Sequence, residues 1–424
     1  MYRLPDQAQK VMDLYDSFDW NQVVQMPVDK VNLNNNIIEI QGKEVVTFGS
    51  SGYVGLHKDQ RIIDAGIAAM QEHGALFSSS RAYTYNPLHD EFEDLLEDIF
   101  GLPTLATIQT TMAHFSAMQL LMLPTDVAII DMQAHATLQS MILLPKAMGM
   151  KVDLLLHNNL EQLERKIKIY QAEGKEKIWY VADGVYSMYG DGAPVKDLVY
   201  LMEKYDNFYI YFDDAHGMSW AGPNGAGYVW KYLPLGHPKV IMATSLGKGF
   251  GIGGGALICP NNKIKTWMKR AGGSVVFCTQ LHSQMLGSGI ASAKIHLSPE
   301  IYIRQDRMKA NIDCFINEAR NYNLPFVDYT ESPVFFMTVG NHDLAVDLNQ
   351  RLRAAGYYAN LGSYPAVPYK NAGLRISLTS EHTISEIKGL LKAVNECFNE
   401  MLDSKGLTMN DLRHSLERTK IKAA

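Results

Sequence analysis

The chain has 424 residues, of which 47% are apolar and 20% charged, and its formal net charge at pH 7 is −6. This length exceeds what one hydrophobic core usually organises, so we predict two domains. The composition excludes a low-complexity chain, and the acidic balance argues against a nucleic-acid-binding protein.

The first 40 residues are polar and mixed, and they predict a short helix near residues 6–18 followed by an extended arm. The opening segment carries acidic residues and lacks the apolar stretch of a signal peptide. No apolar run reaches 18 residues, so we expect no membrane span. The cysteines have neither disulfide-scaffold nor metal-ligand spacing, which fits a cytoplasmic protein without a metal site; they are Cys259, Cys278, Cys314 and Cys397.

Between about residues 60 and 260, helical patterns such as HDEFEDLLEDIFG (89–101) alternate with short apolar runs. The runs are continuously apolar, as in strands that are buried on both faces of a parallel sheet. They predict strands at 104–109, 126–132, 151–157, 177–183, 208–214, 239–245 and 254–260. An open α/β sheet binds its ligand beyond the carboxyl ends of the strands, so residues that follow each run are candidates for a site.

After about residue 290 the pattern changes, and it predicts a smaller α+β domain. The predicted helices lie at 298–322, 342–355 and 383–402, and the strands at 332–340 and 374–380. The predicted division of the chain is an N-terminal arm (1–45), a large domain (46–290), a small domain (291–402) and a polar tail (403–424) that reads as a surface helix.

Polar residues follow three of the apolar runs. FYIYFDDAHG ends in Asp213, Asp214 and His216, and such groups at the end of a buried strand are costly unless paired. A helix cap or a loop-ordering hydrogen bond would account for them, whereas a magnesium site lacks a third carboxylate nearby. His135 and Ser187 follow two other runs, and each taken alone is more typical of a structural histidine or a turn.

Lys248 lies in ATSLGKGFGIGGGAL (243–257), between a strand-like run and a cluster of glycines. A loop lysine is usually a solvated surface charge. A partly buried amine, however, loses its charge because desolvation favours the neutral form, and a neutral amine forms Schiff bases with carbonyls. The glycines allow a planar ligand to approach the backbone closely.

An aldehyde cofactor with a phosphate and a basic ring nitrogen needs an amine, an acid, a group over the ring face and donors to the phosphate. Lys248, one aspartate of 213–214, His135, and the turn QTTMAH (109–114) with Ser245 meet these four needs. Together they predict pyridoxal 5′-phosphate, which acts as an electron sink for carbanions.

The sequence resembles the α-oxoamine synthases, a branch of the fold type I pyridoxal-phosphate enzymes, over roughly residues 40–400. The resemblance lies in DGVYSMYGDGAP (183–194), FDDAHGMSWAGPNGAG (212–227), SLGKGFG (245–251) and LRISLTSEHT (374–383). It implies an aminotransferase-like α/β fold, with a mainly parallel seven-stranded sheet flanked by helices and a smaller α+β C-terminal domain.

The resemblance also implies a role for each matching residue. Lys248 would hold the cofactor aldehyde, Asp213 would face the ring nitrogen, and His216 would bind the phenolic oxygen with Ser187 close by. The other implied roles are ring stacking by His135, phosphate binding by Thr111, Met112 and Ser245, phosphate binding from the other subunit by Thr279, and binding of the substrate carboxylate by Arg375.

By the same resemblance, the chain would be a homodimeric acyltransferase that condenses an amino acid with an acyl-CoA thioester, usually with decarboxylation, to an α-aminoketone. An acyl carrier protein stays open as the acyl donor. An aminotransferase or carbon–carbon lyase on the same scaffold, and a catalytically silent homologue, also stay open as alternatives.

The departures from the family motifs fall mostly where substrates enter rather than around the ring. Ser51 and Gly52 stand in place of two asparagines, and the stretch 79–89 lacks a glycine. Thr111 replaces a glycine of the phosphate turn, and two prolines are absent where His282 and Ser283 stand. The cofactor prediction is unaffected, whereas the amino acid and the acyl group are left undetermined.

Overall fold

The computed structural model describes residues 3–16, 22–234 and 236–412. They form two compact units. The large unit comprises residues 52–187 and 191–306, and the small unit comprises the described parts of 1–51, 188–190 and 307–424. These boundaries differ from the predicted ones at 45 and 290. The described residues before 52 belong to the small unit, in which the strand at 43–47 pairs with Tyr357 and Tyr358.

The helices and strands alternate along much of the chain. Their order is α1 (Asp6–Asp16), β1 (Lys30–Val31), β2 (Ile37–Ile40), β3 (Lys43–Thr47), α2 (Gln60–His73), α3 (Leu88–Phe100), β4 (Thr104–Thr107), α4 (Thr110–Leu121), β5 (Val127–Asp131), α5 (Ala136–Met141), α6 (Leu143–Ala147), β6 (Lys151–Leu155), α7 (Leu160–Ala172), β7 (Ile178–Asp183), α8 (Val195–Lys204), β8 (Phe208–Asp213), β9 (Val240–Ser245), β10 (Gly255–Ile258), α9 (Asn262–Ala271), α10 (Gly273–Val276), α11 (Ser283–His296), α12 (Glu300–Ala319), β11 (Val334–Gly340), α13 (His342–Ala354), β12 (Tyr357–Tyr358), β13 (Asn360–Gly362), β14 (Ala372–Ser377) and α14 (Ile384–Lys405).

A seven-stranded sheet in the order β4-β10-β9-β8-β7-β5-β6 forms the centre of the large unit. Strands β5 to β9 are parallel, and β10 runs antiparallel to both β4 and β9. All seven predicted strands are present, so the predicted mainly parallel sheet is confirmed. In the register of β7 with β8, Asp183 and Asp213 lie side by side at the carboxyl ends.

Helix α4 packs against this sheet and belongs to its main hydrophobic core. The small side chains of Ala113 and Ala117 allow the helix to lie close to Leu105 and Ala243 of the sheet. Because α4 follows β4 after only two residues, its N-terminus lies at the carboxyl end of that strand, beside the start of β10.

The small unit contains two sheets, in the orders β1-β2-β3-β12 and β11-β14-β13. Helix α14 begins after a capping box formed by Thr383 and Glu386, and it is capped at its C-terminus by Gly406, whose φ is 64°. The predicted N-terminal helix is α1, and residues 17–18 of that prediction lie outside the described residues. Part of the predicted tail is the end of α14, and residues 413–424 lie outside the described residues as well. No described helix is both long and apolar enough to span a membrane.

Candidate active site

A cavity of about 460 Å³ lies in the large unit, among residues at or just after the carboxyl ends of β5, β7, β8 and β9. Its size is in the range of small-molecule sites. The predicted site residues that line it are Thr111, His135, Asp213, His216, Ser245 and Lys248. The structure therefore brings together most of the residues that the sequence assigned to one cofactor.

Lys248 is half-buried in the loop between β9 and β10. This loop passes so close to its neighbours that a Cβ atom on Gly249 would lie 2.6 Å from the carbonyl oxygen of Met218. Gly254 has a φ of 104°, which glycine adopts easily, and its carbonyl accepts a hydrogen bond from the Leu246 amide at 3.0 Å. The glycines thus allow a tight loop that carries Lys248 at the cavity wall.

The two adjacent aspartates at the end of β8 have different surroundings. Asp213 lines the cavity, and its Oδ2 accepts a hydrogen bond from His114 Nε2 at 3.0 Å. Burial alone would raise the pKa of Asp213, but the contact with His114 and the charge of Lys248 outweigh burial and lower it to about 2. Asp214 instead accepts the Val229 amide hydrogen at 2.9 Å, and burial raises its pKa well above the usual value. Only Asp213 is therefore suited to face a protonated ring nitrogen.

His135 lies on the cavity wall just before α5. Burial, opposed in part by Asp213, lowers the pKa of His135, so its imidazole is neutral near pH 7. Its Nδ1 accepts the Thr137 amide hydrogen at 3.3 Å and lies 2.7 Å from Thr137 Oγ1. A neutral ring that is held in this way suits the predicted stacking role.

Asp183 also lines the cavity, although the sequence indicated only a turn there. Its Oδ1 accepts the backbone amide hydrogen of His135 at 2.9 Å. Burial and the neighbouring Asp213 raise the pKa of Asp183 well above the usual value. Sequence reasoning missed this residue because the β7–β8 register, not the local pattern, places it beside Asp213.

His216 lines the cavity, and its Nδ1 lies 2.6 Å from the hydroxyl of Tyr53. Tyr53 is fully buried, and the backbone carbonyl of His216 accepts a hydrogen bond from Trp220 Nε1 at 2.6 Å. The imidazole ring and the backbone of His216 are thus both held in position. Tyr53 directly follows Ser51 and Gly52, which stand in place of two asparagines of the family motif. The sequence therefore indicated this segment, but it did not indicate Tyr53 itself.

The N-terminus of α4 reaches the cavity through Thr110 and Thr111. Helix N-termini bind phosphate through amide hydrogens and the helix dipole. Ser245 lies on the same wall, and its Oγ accepts the Gly247 amide hydrogen at 3.1 Å. The Met112 amide donates to the Gln109 carbonyl at 3.0 Å, so its predicted contact with phosphate, which would have to share this donor, stays a prediction.

Besides Met112, three other predicted residues are not among those that line the cavity. Ser187 is half-buried in the loop after β7, and Thr279 is exposed between α10 and α11. Arg375 belongs to β14 of the small unit, where it is buried and donates from Nη1 to Ser377 Oγ at 2.9 Å. Their roles toward phosphate, ring and substrate stay predictions.

The donor set fits pyridoxal phosphate. The cavity has an amine for the aldehyde, an ionised carboxylate for the ring nitrogen, a neutral imidazole for the ring face, and a helix N-terminus with hydroxyls for the phosphate. Within the described ranges, no group of three or more His, Cys, Asp or Glu side chains is arranged to hold a metal ion.

The pattern of the family Aminotransferase class I and II matches residues 43–394 of this chain. An 8-amino-7-oxononanoate synthase from Methylobacillus flagellatus is 29% identical over 356 residues, covering 84% of this chain and 87% of that protein. A structure of SPT (serine palmitoyltransferase) with a PLP internal aldimine superimposes with a TM-score of 0.86 at 21% identity, covering 94% of this chain and 99% of the other. The 8-amino-7-oxononanoate synthase of Francisella tularensis gives a TM-score of 0.69 at 21% identity, covering 84% of this chain and 98% of the other.

These likenesses confirm two predictions. The superpositions confirm the predicted fold, a mainly parallel seven-stranded α/β sheet with a smaller C-terminal part. 8-Amino-7-oxononanoate synthase and serine palmitoyltransferase are both α-oxoamine synthases, the family that the sequence motifs resemble. The resemblance is therefore confirmed as well.

Proposed function

The chain belongs to the aminotransferase class I and II family, and from that premise we propose that it is a pyridoxal-phosphate-dependent acyltransferase of the α-oxoamine synthase type. It would condense an amino acid with an acyl-CoA thioester, usually with decarboxylation, to an α-aminoketone. One observation carries the proposal: Lys248, the ionised Asp213 and the neutral His135 line one cavity at the N-terminus of α4. The names of the relatives support acyl transfer as the reaction class.

Pyridoxal phosphate, when bound, supplies an electron sink that stabilises a carbanion at the α-carbon of an amino acid. Lys248 Nζ would hold the aldehyde carbon covalently until the amino group of the substrate displaces it, and the released Lys248 amine would then accept the proton from the α-carbon. The Asp213 carboxylate would keep a proton on the ring nitrogen, because a nearby negative charge favours the protonated form. His135 would cover the ring face and exclude water from it.

An apolar groove of about 400 Å³ adjoins the cavity and shares Gly253 and Met285 with it. Its other lining residues include Ile67, Met70 and Ile252. We infer that the acyl chain lies in this groove, because each methylene that leaves water contributes about 0.8 kcal/mol to binding. Met285→Trp would narrow the passage, so it should raise the KM for long acyl donors more than the KM for short ones.

A homodimer is part of the proposal. Thr279 is exposed. Phe277, two residues before it, is 85% exposed, which is unusual for a large aromatic side chain. A partner subunit that covered Phe277 would receive Thr279 at its phosphate site. Phe277→Asp should then yield monomers in ultracentrifugation and weaken cofactor binding. We also propose a cytoplasmic location, which the four free thiols support.

The proposal is tested by incubating the purified chain with pyridoxal phosphate, a panel of amino acids and acyl-CoAs of graded length. We expect thiol release that depends on both substrates and that disappears in Lys248→Ala. Keto-acid formation without thiol release would instead identify an aminotransferase. A protein that stays colourless after cofactor is added would indicate a silent homologue. If thiol is released only from an acylated acyl carrier protein, the acyl donor is that protein rather than CoA, and the reaction class is still acyl transfer.

A further inference from the structure

His157 lies just after β6, outside the cavity, between two carboxylates. Its Nδ1 is 3.0 Å from Asp131 Oδ1, and its Nε2 is 2.6 Å from Asp191 Oδ2. A neutral imidazole carries a hydrogen on only one nitrogen, so its other lone pair would face a carboxylate oxygen. Both contacts are attractive only when His157 is an imidazolium.

The groups that face His157 lie at the end of β5 and in the segments that follow β6 and β7. Asp131 is the last residue of β5 and is fully buried, and Asp191 lies in the loop after β7. The Tyr186 ring meets the imidazole edge-on, with centroids 4.4 Å apart. Asn158 donates from its backbone amide to Asp131 at 2.8 Å and from Nδ2 to Asp191 at 3.2 Å. No cation among these neighbours opposes the imidazolium.

Each of the two aspartates also makes a hydrogen bond within a segment of the cofactor cavity, Asp131 through its carboxylate and Asp191 through its backbone. Asp131 Oδ1 accepts the Gln133 amide hydrogen at 2.8 Å, which shapes the turn that leads to His135. Asp191 closes the loop after β7, since its carbonyl accepts the Tyr186 amide hydrogen at 2.9 Å. The same loop presents Val185 to the cavity.

We propose that His157 is a positioning residue for the cofactor cavity. As an imidazolium that bridges Asp131 and Asp191, it fixes the two segments that present His135 and Val185 to the bound cofactor. This inference deepens the proposed function because it takes pyridoxal phosphate as the ligand, but it does not depend on acyl transfer. Burial opposes the charge of His157, yet the hydrogen bonds and charges of the two aspartates outweigh burial and raise its pKa to about 9.

The first test uses the protein without cofactor. Nitrogen-15 NMR of its histidine rings, assigned with His157→Gln, should show both ring nitrogens of His157 protonated at pH 7.5 and deprotonation near pH 9. A neutral ring at pH 7.5 would overturn the proposal. This measurement decides the charge whatever reaction the enzyme catalyses.

The second test measures equilibrium binding of pyridoxal phosphate by absorbance at pH 7 and pH 10. His157→Gln and Asp191→Asn should each weaken binding at pH 7 about tenfold, the scale of coupling through packed neighbours. The double variant should be no weaker than His157→Gln alone. At pH 10 the difference from the unmodified protein should shrink, because the imidazolium has lost its proton there. Asp191→Asn keeps the contact between His157 and Asp131, so it still tests the proposal if His157→Gln fails to fold.

Lys151→Gln is the matched control, since Lys151 lies on β6 and its half-exposed side chain contacts Glu173 and the Tyr170 ring rather than His157 or its two aspartates. It should bind cofactor as the unmodified protein does. Wild-type affinity in both His157→Gln and Asp191→Asn would overturn the proposal. Cofactor binding that depends on His157, without thiol release from any donor, would support this inference and contradict the proposed function.

Discussion

His114 and Asp213 form a buried pair, with Nε2 of the histidine 3.0 Å from Oδ2 of the aspartate. The other ring nitrogen of His114 lies 2.9 Å from the Tyr211 hydroxyl. His114 thus holds the carboxylate in position and stabilises its charge. The sequence indicated the turn that contains His114 as a phosphate site, yet the His114 side chain contacts Asp213, the residue proposed to face the ring nitrogen.

His114→Asn should lower kcat by about 10- to 100-fold, the range seen when a supporting hydrogen-bond partner is lost. Without the imidazole, burial would raise the pKa of Asp213 from its value of about 2. Activity should then fall on the acidic side at a higher pH than in the unmodified protein. The measurement is kcat against pH, with Tyr211→Phe as a milder control. An unchanged acidic limb would contradict the role given to His114.

Lys248→Ala should reduce turnover by at least about 10³-fold, because it removes both the covalent attachment and the proton acceptor. Borohydride reduction followed by peptide mass spectrometry should find the cofactor on Lys248 in the unmodified protein and on no residue in the variant. A label on another lysine would show that the attachment site is wrong.

Asp213→Asn and Asp214→Asn form a matched pair on neighbouring residues. Asp213→Asn should lower kcat by about 10³-fold, since an amide lacks the charge that keeps the ring nitrogen protonated. Asp214→Asn should retain most of the activity, because burial raises the pKa of Asp214 and thus disfavours its charged form, and asparagine accepts the same Val229 hydrogen bond. Equal losses in the two variants would contradict the assignment.

Asp214 also makes a pH-dependent contribution to stability. Its pKa is raised in the folded state, so the folded protein binds more protons than the unfolded one above about pH 4, and stability falls as pH rises. Asp214→Asn removes this term. Its melting temperature relative to the unmodified protein should therefore increase between pH 4 and pH 8. Parallel curves of melting temperature against pH for the two proteins would count against a raised pKa of Asp214.

Tyr53→Phe tests how His216 is held. Removing the hydroxyl deletes the 2.6 Å contact with Nδ1 and should cost roughly 1 kcal/mol of stability. The absorbance maximum of the bound cofactor should shift, because His216 would face the phenolic oxygen less firmly. Tyr228→Phe, which affects a longer contact of 3.5 Å with the Ala193 carbonyl, is the control. An identical spectrum in Tyr53→Phe would indicate that the hydroxyl does not position His216.

Arg375→Ala should weaken binding of the amino acid by about 2–4 kcal/mol, as expected when one partner of a charge pair is removed. The kcat at saturating amino acid should change less than KM. Arg375→Lys should recover only part of the affinity, because a lysine does not bind a carboxylate in bidentate fashion. An unchanged affinity for the amino acid in Arg375→Ala would show that a different cationic residue binds the substrate carboxylate.

The seven strands were predictable because each is a continuous apolar run, and each lies within two residues of its predicted position. The reversed direction of β10 was not predicted. A strand that is buried on both faces has the same composition whether its neighbours run parallel or antiparallel, so only the hydrogen-bond register distinguishes the two.

By itself, the sequence determined which chemical groups follow the strands, and hence the amine, acid and imidazole that predict the cofactor. The family resemblance assigned Asp213 to the ring nitrogen, but only tertiary structure showed why the pKa values of Asp213 and Asp214 shift in opposite directions, and it added His114, Asp183 and Tyr53 to the site. His114 is 99 residues from Asp213, and Tyr53 is 163 residues from His216. Local periodicity reports only which face of an element is buried, whereas charge and hydrogen bonding depend on neighbours that packing and register bring together.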